Sequence, residues 1–319
     1  MVGQVVSMLN SPSIPAELFG YKVVDKVGEG AASTVYAVMD TKSKQVMALK
    51  HVLRRTEKDQ RFIDQIEQEY KVGSKLDHPN IRAITKFLTN RKFMVGAVLD
   101  AALLMELVDA TTLDLSARPS GYRIASYFAQ CARALGHMHE RGFVHADMKP
   151  SNMMVCEDHT VKVIDLGQAC AIGTVKKRIQ GTPGYIAPEQ AFRNEITPLT
   201  DVYNFGATLY WVLLRDEIPC ALPSRNGKVG SAVSPDQIRM PRPVHEQDPR
   251  IPAGFNEIVM QCIRVHPEAR FQSMEMVAER LDVLADHCRA TGAGNALAGL
   301  QTSTGAPDRA YDSEPSKAG

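Results

Sequence analysis

Short runs of alternating apolar and polar residues fill the first third of the chain, the pattern of half-buried strands. These runs begin at Tyr21, and the TKSK segment at 41–44 predicts a hairpin turn between two of them. A polar, Glu-rich stretch from about 57 to 76 then carries apolar residues at helical spacing. Two further strand candidates lie at 83–90 and 102–108. The first third therefore predicts a small β-rich unit that includes one helix.

The periodicity becomes helical after about residue 109. An apolar stripe that ends near Gly142 consists of Ile124, Phe128, Cys131, Leu135 and Met138. Short strand-like runs interrupt the helices at 153–155 and 161–164, and helical spacing returns at 255–263 and 273–288. Residues 218–252 carry seven prolines and predict a loop-rich segment.

This order of elements predicts an α+β protein with two lobes and a cleft between them. We expect an N-terminal arm over 1–20 and one domain over 21–287, divided into lobes at about 21–108 and 109–287. Residues 288–319 are rich in Ala, Gly, Ser, Thr and Pro, and we predict a disordered tail there.

Charge and composition exclude several classes of function. Among 319 residues, 37 Lys and Arg balance 36 Asp and Glu, which argues against a nucleic-acid-binding surface or a polybasic membrane-binding face. The six cysteines are scattered singly, so the sequence predicts neither a disulfide framework nor a zinc site. No apolar run approaches the ~18 residues of a membrane span. We expect a soluble, cytoplasmic protein that binds neither nucleic acid nor membrane.

The segment Gly28-Glu29-Gly30 lies between two strand candidates. Glycines at such a turn allow backbone amides to approach a phosphate without a side chain in the way. A plain hairpin is the alternative. A dinucleotide-binding loop is excluded, because that motif requires a helix after the glycines and here a second strand follows.

A lysine occupies the apolar face of one predicted strand. With a period of two, Lys50 shares a face with Val46 and Ala48. An inward-facing ammonium needs an anion, either a phosphate or a carboxylate, and Glu69 on the following helix is the natural partner within the protein. The alternative is that the aliphatic stem covers the core while the amine reaches solvent.

Two polar clusters follow the long helix. His145–Asn152 contains Asp147, Lys149 and Asn152, and Asp165-Leu166-Gly167 follows an apolar strand. An Asp at the end of a strand is well placed to bind a metal ion. A solvated turn and a helix cap are the ordinary alternatives.

In order and spacing, these segments resemble the motif set of the protein kinases over about 21–287. The matching segments are the Gly-rich loop 28–35, the strand bearing Lys50, the helix-C glutamate Glu69, the catalytic loop 145–152, the triplet 165–167, Ala187-Pro188-Glu189, the helix-F-like segment 201–206 and Arg270. The resemblance implies the bilobal protein-kinase fold, with a small β-rich N-lobe containing helix C and a larger, mainly helical C-lobe. It also implies that Arg270 pairs with Glu189. The compact layout is similar to that of the eukaryotic-like Ser/Thr kinases of bacteria.

The resemblance implies catalytic roles for four residues. Asp147 would accept the proton of a substrate hydroxyl, and Lys149, typical of the Ser/Thr subclass, would contact the transferred phosphate. Lys50, held by Glu69, would bind the α- and β-phosphates of ATP. The acceptor would be a Ser or Thr hydroxyl of a protein substrate.

The same resemblance implies ATP and Mg²⁺ as cofactors. Asn152 and Asp165 would carry the metal, and Met105 would precede a hinge, Glu106 to Val108, that binds adenine through backbone groups. The predicted nucleotide contacts are Gly28, Gly30, Ser33, Val35, Ala48, Lys50, Glu106, Val108 and Met154.

Departures from the family pattern bear on regulation. Ala146 replaces the Arg that, in the family, meets a phosphate on the activation segment, here Asp165–Glu189, so switching through that contact is in doubt. Gly73 stands where the family packs a bulky apolar side chain, and we expect a hole there and a mobile helix C. An activating partner or a homodimer would then settle the helix. The alternative function is a pseudokinase that acts as an ATP-binding scaffold.

Overall fold

The computed structural model describes residues 14–30, 32–91, 97–219, 224–225, 228–229 and 238–298. The first part of the predicted arm, the tail beyond 298 and much of the proline-rich segment lie outside these ranges. No helix among the described residues is long and apolar enough to cross a membrane.

A six-stranded antiparallel sheet forms the first lobe, in the order β1-β2-β3-β4-β6-β5. Its strands are β1 (Glu17–Leu18), β2 (Tyr21–Glu29), β3 (Thr34–Met39), β4 (Val46–Leu53), β5 (Ile84–Arg91) and β6 (Val98–Met105). The predicted hairpin turn joins β3 and β4, and Asp40 closes it by accepting the backbone N–H groups of Lys42 and Ser43 at 2.8 and 3.1 Å. Strand β6 starts four residues before the predicted segment and ends three residues before it, because the chain leaves the sheet after Met105.

Helix α1 (Gln60–Gly73) packs on one face of this sheet and corresponds to the predicted helix C. A short 3₁₀ turn, Glu57–Asp59, precedes it, so the helix is shorter than the predicted stretch. Ile63, Ile66 and Val72 are buried in the same apolar cluster as β6 residues. The helix therefore presents its apolar stripe to the sheet, and Glu69 is buried on that side as well.

The hole predicted at Gly73 is absent. A Cβ atom at this position would lie 2.5 Å from Ile84 Cδ1 and 3.0 Å from Cγ1, so the Ile84 side chain already fills the space. The prediction was wrong because it rested on the family pattern at position 73 alone. The sequence does not show that Ile84 packs against this position.

The second lobe is mainly helical, as predicted. Its helices are α2 (Gly121–Glu140), α3 (Pro188–Ala191), α4 (Pro198–Leu214), α5 (Val244–Gln247), α6 (Ala253–Cys262) and α7 (Met274–Thr291). All five residues of the predicted α2 stripe are fully buried, which confirms that interpretation. Helix α7 packs along α2.

Short strands connect these helices. They are β7 (Ala110–Thr112), β8 (Phe143–Val144), β9 (Met153–Cys156), β10 (Val161–Val163), β11 (Cys170–Ala171), β12 (Thr174–Val175), β13 (Glu195–Ile196), β14 (Ser224–Arg225) and β15 (Lys228–Val229). Strands β9 and β10 form a hairpin that ends just before Asp165. The two strand-like runs predicted for this lobe therefore frame the candidate site.

The described structure continues beyond both predicted ends of the domain. Part of the predicted arm joins the sheet, because β1 pairs with the start of β2. Helix α7 continues past residue 287 to Thr291, and beyond it Leu297 is fully buried while Gly294 accepts a hydrogen bond from the backbone N–H of Gly121 at 3.0 Å. Composition suggested disorder over this stretch, but one buried leucine and a backbone contact to α2 order it.

We expect Gly73→Ala to destabilise the protein by about 1–3 kcal/mol, the cost typical of overpacking a filled core. Urea denaturation measures this. Gly136→Ala in α2 is the matched control, because a Cβ there would lie 3.8 Å from Met274 Cβ, an ordinary contact, and alanine is the better helix former. Ile84→Val, which deletes the clashing Cδ1, should recover part of the loss. If Gly73→Ala raised the free energy of unfolding as much as Gly136→Ala does, the packing of Ile84 against Gly73 would be contradicted.

Candidate active site

Lys50 lies where three separate segments of the chain meet. Its strand, β4, is internal to the sheet, with Lys50 paired to Val35 on one side and Leu103 on the other. The ammonium donates to Glu69 Oε2 of α1 at 2.7 Å and lies 3.3 Å from Asp165 Oδ1, beyond the end of β10. The structure therefore brings the three predicted residues together.

The charges of this group stabilise one another. Burial by itself would lower the pKa of Lys50, but the carboxylates of Glu69 and Asp165 outweigh it and the pKa is raised. The Lys50 charge in turn lowers the pKa of Asp165 to about 2, against the effect of burial. The Lys50 ammonium and the Asp165 carboxylate are therefore both ionised at neutral pH.

One oxygen of this group remains without a partner. Glu69 Oε1 is buried and has no hydrogen-bond partner among the described residues. Arg82 lies two residues before Ile84, the residue that packs against Gly73. Its backbone N–H donates to the Val163 carbonyl at 3.0 Å. Burial lowers the pKa of Arg82, and the charge of Glu69 opposes that shift. No sequence pattern indicated a role for Arg82.

The backbone after β10 holds Asp165 in an unusual conformation. Asp165 has a φ of 62°, in the left-handed region that non-glycine residues rarely adopt. Two residues later, a Cβ atom at Gly167 would lie 2.7 Å from Gln65 Nε2 of α1 and 3.2 Å from Asp165 Oδ1. A side chain at position 167 would therefore require the end of the Gln65 side chain to move.

The catalytic-loop residues form a compact polar group. Thr182 Oγ1 donates to Asp147 Oδ1 at 2.8 Å, and Lys149 Nζ donates to Thr182 Oγ1 at 3.0 Å. Lys149 also lies 3.4 Å from Asp147 Oδ2. Asn152 Nδ2 donates to the Asp147 carbonyl at 2.8 Å, so the side-chain amide holds the loop in shape.

A buried carboxylate supports this loop from below. Asp201 of α4 is fully buried and accepts the backbone N–H groups of His145 and Ala146, each at 2.8 Å. His139 Nε2 lies 2.8 Å from the same carboxylate. Burial favours the neutral form, but these hydrogen bonds and the neighbouring histidines hold the pKa of Asp201 below its ordinary value. Asp201 thereby fixes Ala146 at a φ of 61°.

The predicted nucleotide contacts of the first lobe lie on the β2–β3 hairpin and on β4. Gly28 pairs with Val35, and Gly30 donates its backbone N–H to the carbonyl of Ser33 at 2.7 Å, so the glycine-rich segment is the β2–β3 hairpin. Ala48 is buried next to Met105 on β6.

The predicted hinge residues follow Met105 directly. Val108 and Met154 are half-buried. The Glu106 carboxylate pairs with the Lys162 ammonium at 2.7 Å, and the Glu106 backbone N–H donates to the Ala83 carbonyl at 2.9 Å.

A buried ion pair joins the far end of the activation segment to the second lobe. Arg270 donates to both oxygens of Glu189, at 2.7 and 2.9 Å, and also to the carbonyls of Leu199 and Val265. This confirms the pairing of Arg270 with Glu189 that the family resemblance implied.

Comparison with known proteins identifies the family to which the chain belongs. The protein kinase domain family matches residues 21–281, most of the chain. The chain belongs to this family. A probable serine/threonine-protein kinase of Clostridium acetobutylicum is 29% identical over 277 residues, which is 82% of this chain and 39% of that protein.

Mycobacterial proteins are similar to the same kinase domain. Serine/threonine-protein kinase PknB of Mycobacterium leprae is 28% identical over 82% of this chain and 43% of its own length. Serine/threonine-protein kinase PknA of Mycobacterium tuberculosis is 28% identical over 82% of this chain and 61% of its own length. The chain thus spans between 39% and 61% of the length of these relatives.

Two residues of the kinase domain that our sequence analysis left without a role lie at the centre of this site. Asp201 carried a signal, since it is the only charged residue in α4. Thr182 carried none, because no local pattern indicates that its hydroxyl reaches Asp147.

We expect Lys50→Met to raise the pKa of Asp165, because the Lys50 charge is the main cause of its low value. Carboxyl-carbon NMR titration measures the pKa in the wild type and the variant. Lys71→Met, which removes the exposed partner of Glu67, should leave it unchanged. In the wild type the folded-state pKa lies below 3.8, so the stabilisation from Asp165 is present at neutral pH and is lost as pH falls towards 2. A pKa that stays near 2 in Lys50→Met would refute the assignment of the cause.

Arg270→Leu should destabilise the protein by about 3–5 kcal/mol, since it leaves the Glu189 carboxylate buried without its partner. Arg133→Ala, which breaks an exposed pair with Asp282, should cost less than about 1 kcal/mol. Urea denaturation at neutral pH measures both free energies of unfolding. Equal losses in the two variants would show that burial of the Arg270 pair has no energetic consequence.

Proposed function

We propose that this chain is a Ser/Thr protein kinase that transfers the γ-phosphoryl group of ATP to a Ser or Thr hydroxyl of a protein substrate. The observation that carries the proposal is the environment of the Thr182 hydroxyl. This hydroxyl donates to Asp147 Oδ1 at 2.8 Å, and its oxygen accepts a hydrogen bond from the Lys149 ammonium at 3.0 Å. An incoming substrate hydroxyl needs the same two neighbours, a carboxylate to take its proton and a cation beside the transferred phosphate.

Asp147 is the proposed catalytic base. It orients the hydroxyl and accepts its proton as the oxygen bonds to the γ-phosphorus and the bond to the β-phosphate oxygen breaks, which releases ADP. The Lys149 ammonium lies 3.4 Å from Asp147 Oδ2. It can therefore stabilise negative charge on the phosphoryl oxygens while it stays close to Asp147. Positioning and charge neutralisation supply the rate in this reaction class.

The residues present fit ATP and Mg²⁺. A Cβ atom at Gly28 would meet nothing within 4 Å, so the hairpin leaves room above the cleft for a phosphate chain. Asp165 offers a carboxylate whose pKa is lowered to about 2, and Asn152 offers an amide oxygen, both hard ligands that suit Mg²⁺. Bound there, the metal would neutralise charge on the phosphates. Lys50, held by Glu69, would bind the α- and β-phosphates.

The adenine would lie between apolar side chains. Val35 and Ala48 would cover one face of the ring and Met154 the other, with backbone groups from Glu106 to Val108 along its edge. Because the Glu106 N–H already donates to Ala83, the Glu106 carbonyl is the group left to accept from the purine.

A requirement for an activating partner or a homodimer loses the support that we had drawn from Gly73. Ile84 fills the space at that position, and Lys50 holds Glu69 of the same helix. Assembly of the two lobes is therefore complete in the single chain, and we propose activity without a partner.

The deciding experiment measures phosphate incorporation from labelled ATP with Mg²⁺ into generic protein substrates. We expect the wild type to label Ser or Thr and Asp147→Asn to label nothing, because the variant cannot accept the proton. Asp282→Asn, an exposed change on α7, should behave as the wild type. ATP should raise the melting temperature of all three proteins.

The alternative function has its own signature in the same experiment. A pseudokinase would be stabilised by ATP while neither wild type nor Asp147→Asn labelled any protein. That result would overturn the proposed activity and retain the nucleotide site. No stabilisation by ATP in any variant would overturn both.

A further inference from the structure

The first half of the activation segment is held mainly by backbone pairing and apolar contact. Strand β11 pairs with β8 beside the catalytic loop, and β12 pairs with β13. Beneath β11, four side chains form a small buried apolar cluster: Val144, Ala146, Cys170 and Ile196. Ala146 thus contributes a methyl group to packing, at the position where the family carries an arginine.

A cleft of about 680 Å³ lies between this half of the segment and helix α1, and Arg61 and Gln68 of α1 form part of its wall. Packing against α1 therefore gives the segment little support on this side. A contact within the segment is therefore needed to hold the chain that follows Gly167, and with it the orientation of Asp165.

Lys176 supplies such a contact. Its ammonium donates to the backbone carbonyl of Gln168 at 2.6 Å and lies 3.5 Å from the side-chain oxygen of the same residue. The contact closes the loop between the turn that follows Asp165 and the strand end at Val175. Its acceptor is a backbone carbonyl three residues beyond Asp165, so the position of the turn depends directly on this cation.

The surroundings of Lys176 distinguish it from its basic neighbours. Lys176 is half-buried, whereas Lys177 and Arg178 are exposed. Burial lowers the pKa of Lys176, and the Cys170 sulfur and the carboxylates of Asp147 and Asp201 oppose that shift. A partly desolvated ammonium that donates to a carbonyl forms a charge-assisted hydrogen bond, which is stronger than a neutral one.

We propose that Lys176 is a positioning residue that fixes the start of the activation segment through its hydrogen bond to the Gln168 carbonyl. This inference rests on the proposed kinase function and names how that site is kept in its active arrangement.

Lys176→Met tests the inference, because it keeps an apolar stem and removes the donor. With a protein substrate we expect kcat to fall about tenfold or more, the loss typical of one charge-assisted hydrogen bond. The KM for ATP should change far less than kcat, because the predicted contacts to the adenine and to the α- and β-phosphates lie outside the activation segment. Lys176→Arg retains a cationic donor and should restore most of kcat. Lys177→Met is the matched control and should match the wild type.

The outcomes separate this inference from the proposed function. An inactive wild type refutes the kinase function itself. An active wild type with Lys176→Met equal to Lys177→Met refutes the role of Lys176 alone. A Lys176→Met variant that loses kcat and raises the KM for ATP equally, with a lowered melting temperature, indicates general unfolding and also refutes the positioning role.

Discussion

The structure depends on a single desolvated cation at the junction of its lobes. Lys50 is held between Glu69 and Asp165, residues 19 and 115 positions away along the chain. A cation in that position is tolerated only while carboxylates surround it. The same attraction therefore places helix α1 against the sheet and turns Asp165 into the cleft. Fold and proposed chemistry share one electrostatic constraint.

The second lobe applies the same constraint at two further places. Asp201 is fully buried beneath the catalytic loop, and its oxygens are saturated by backbone N–H groups and a histidine. Arg270 is buried behind the activation segment and is saturated by Glu189 and backbone carbonyls. Each buried charge is costly unless every partner is present, so each one specifies a single arrangement of the loops around it. The strained φ at Ala146 persists because Asp201 holds both neighbouring N–H groups.

Ion pairs hold the two ends of the activation segment, at Asp165 and Glu189, but the structure describes none for residues 168–179 between them. Ala146, at the position where the family carries an arginine, belongs to an apolar cluster instead. Within the segment, the Lys176 ammonium donates to the backbone carbonyl of Gln168. This contact depends only on residues of the chain itself and leaves the residues at the centre of the site unchanged.

The sequence by itself determined the order of elements, the family and the residues of the site. Period-two and helical spacing are local properties, and the motif segments recur at set distances along the chain, so α2, the β3–β4 hairpin and the cluster around Asp147 could be predicted. Tertiary structure alone decided which groups meet across large separations. Ile84 fills the space at Gly73, Thr182 reaches Asp147, and Leu297 orders a stretch whose composition suggested disorder. These contacts depend on distances between segments far apart in sequence, and no local pattern encodes such a distance.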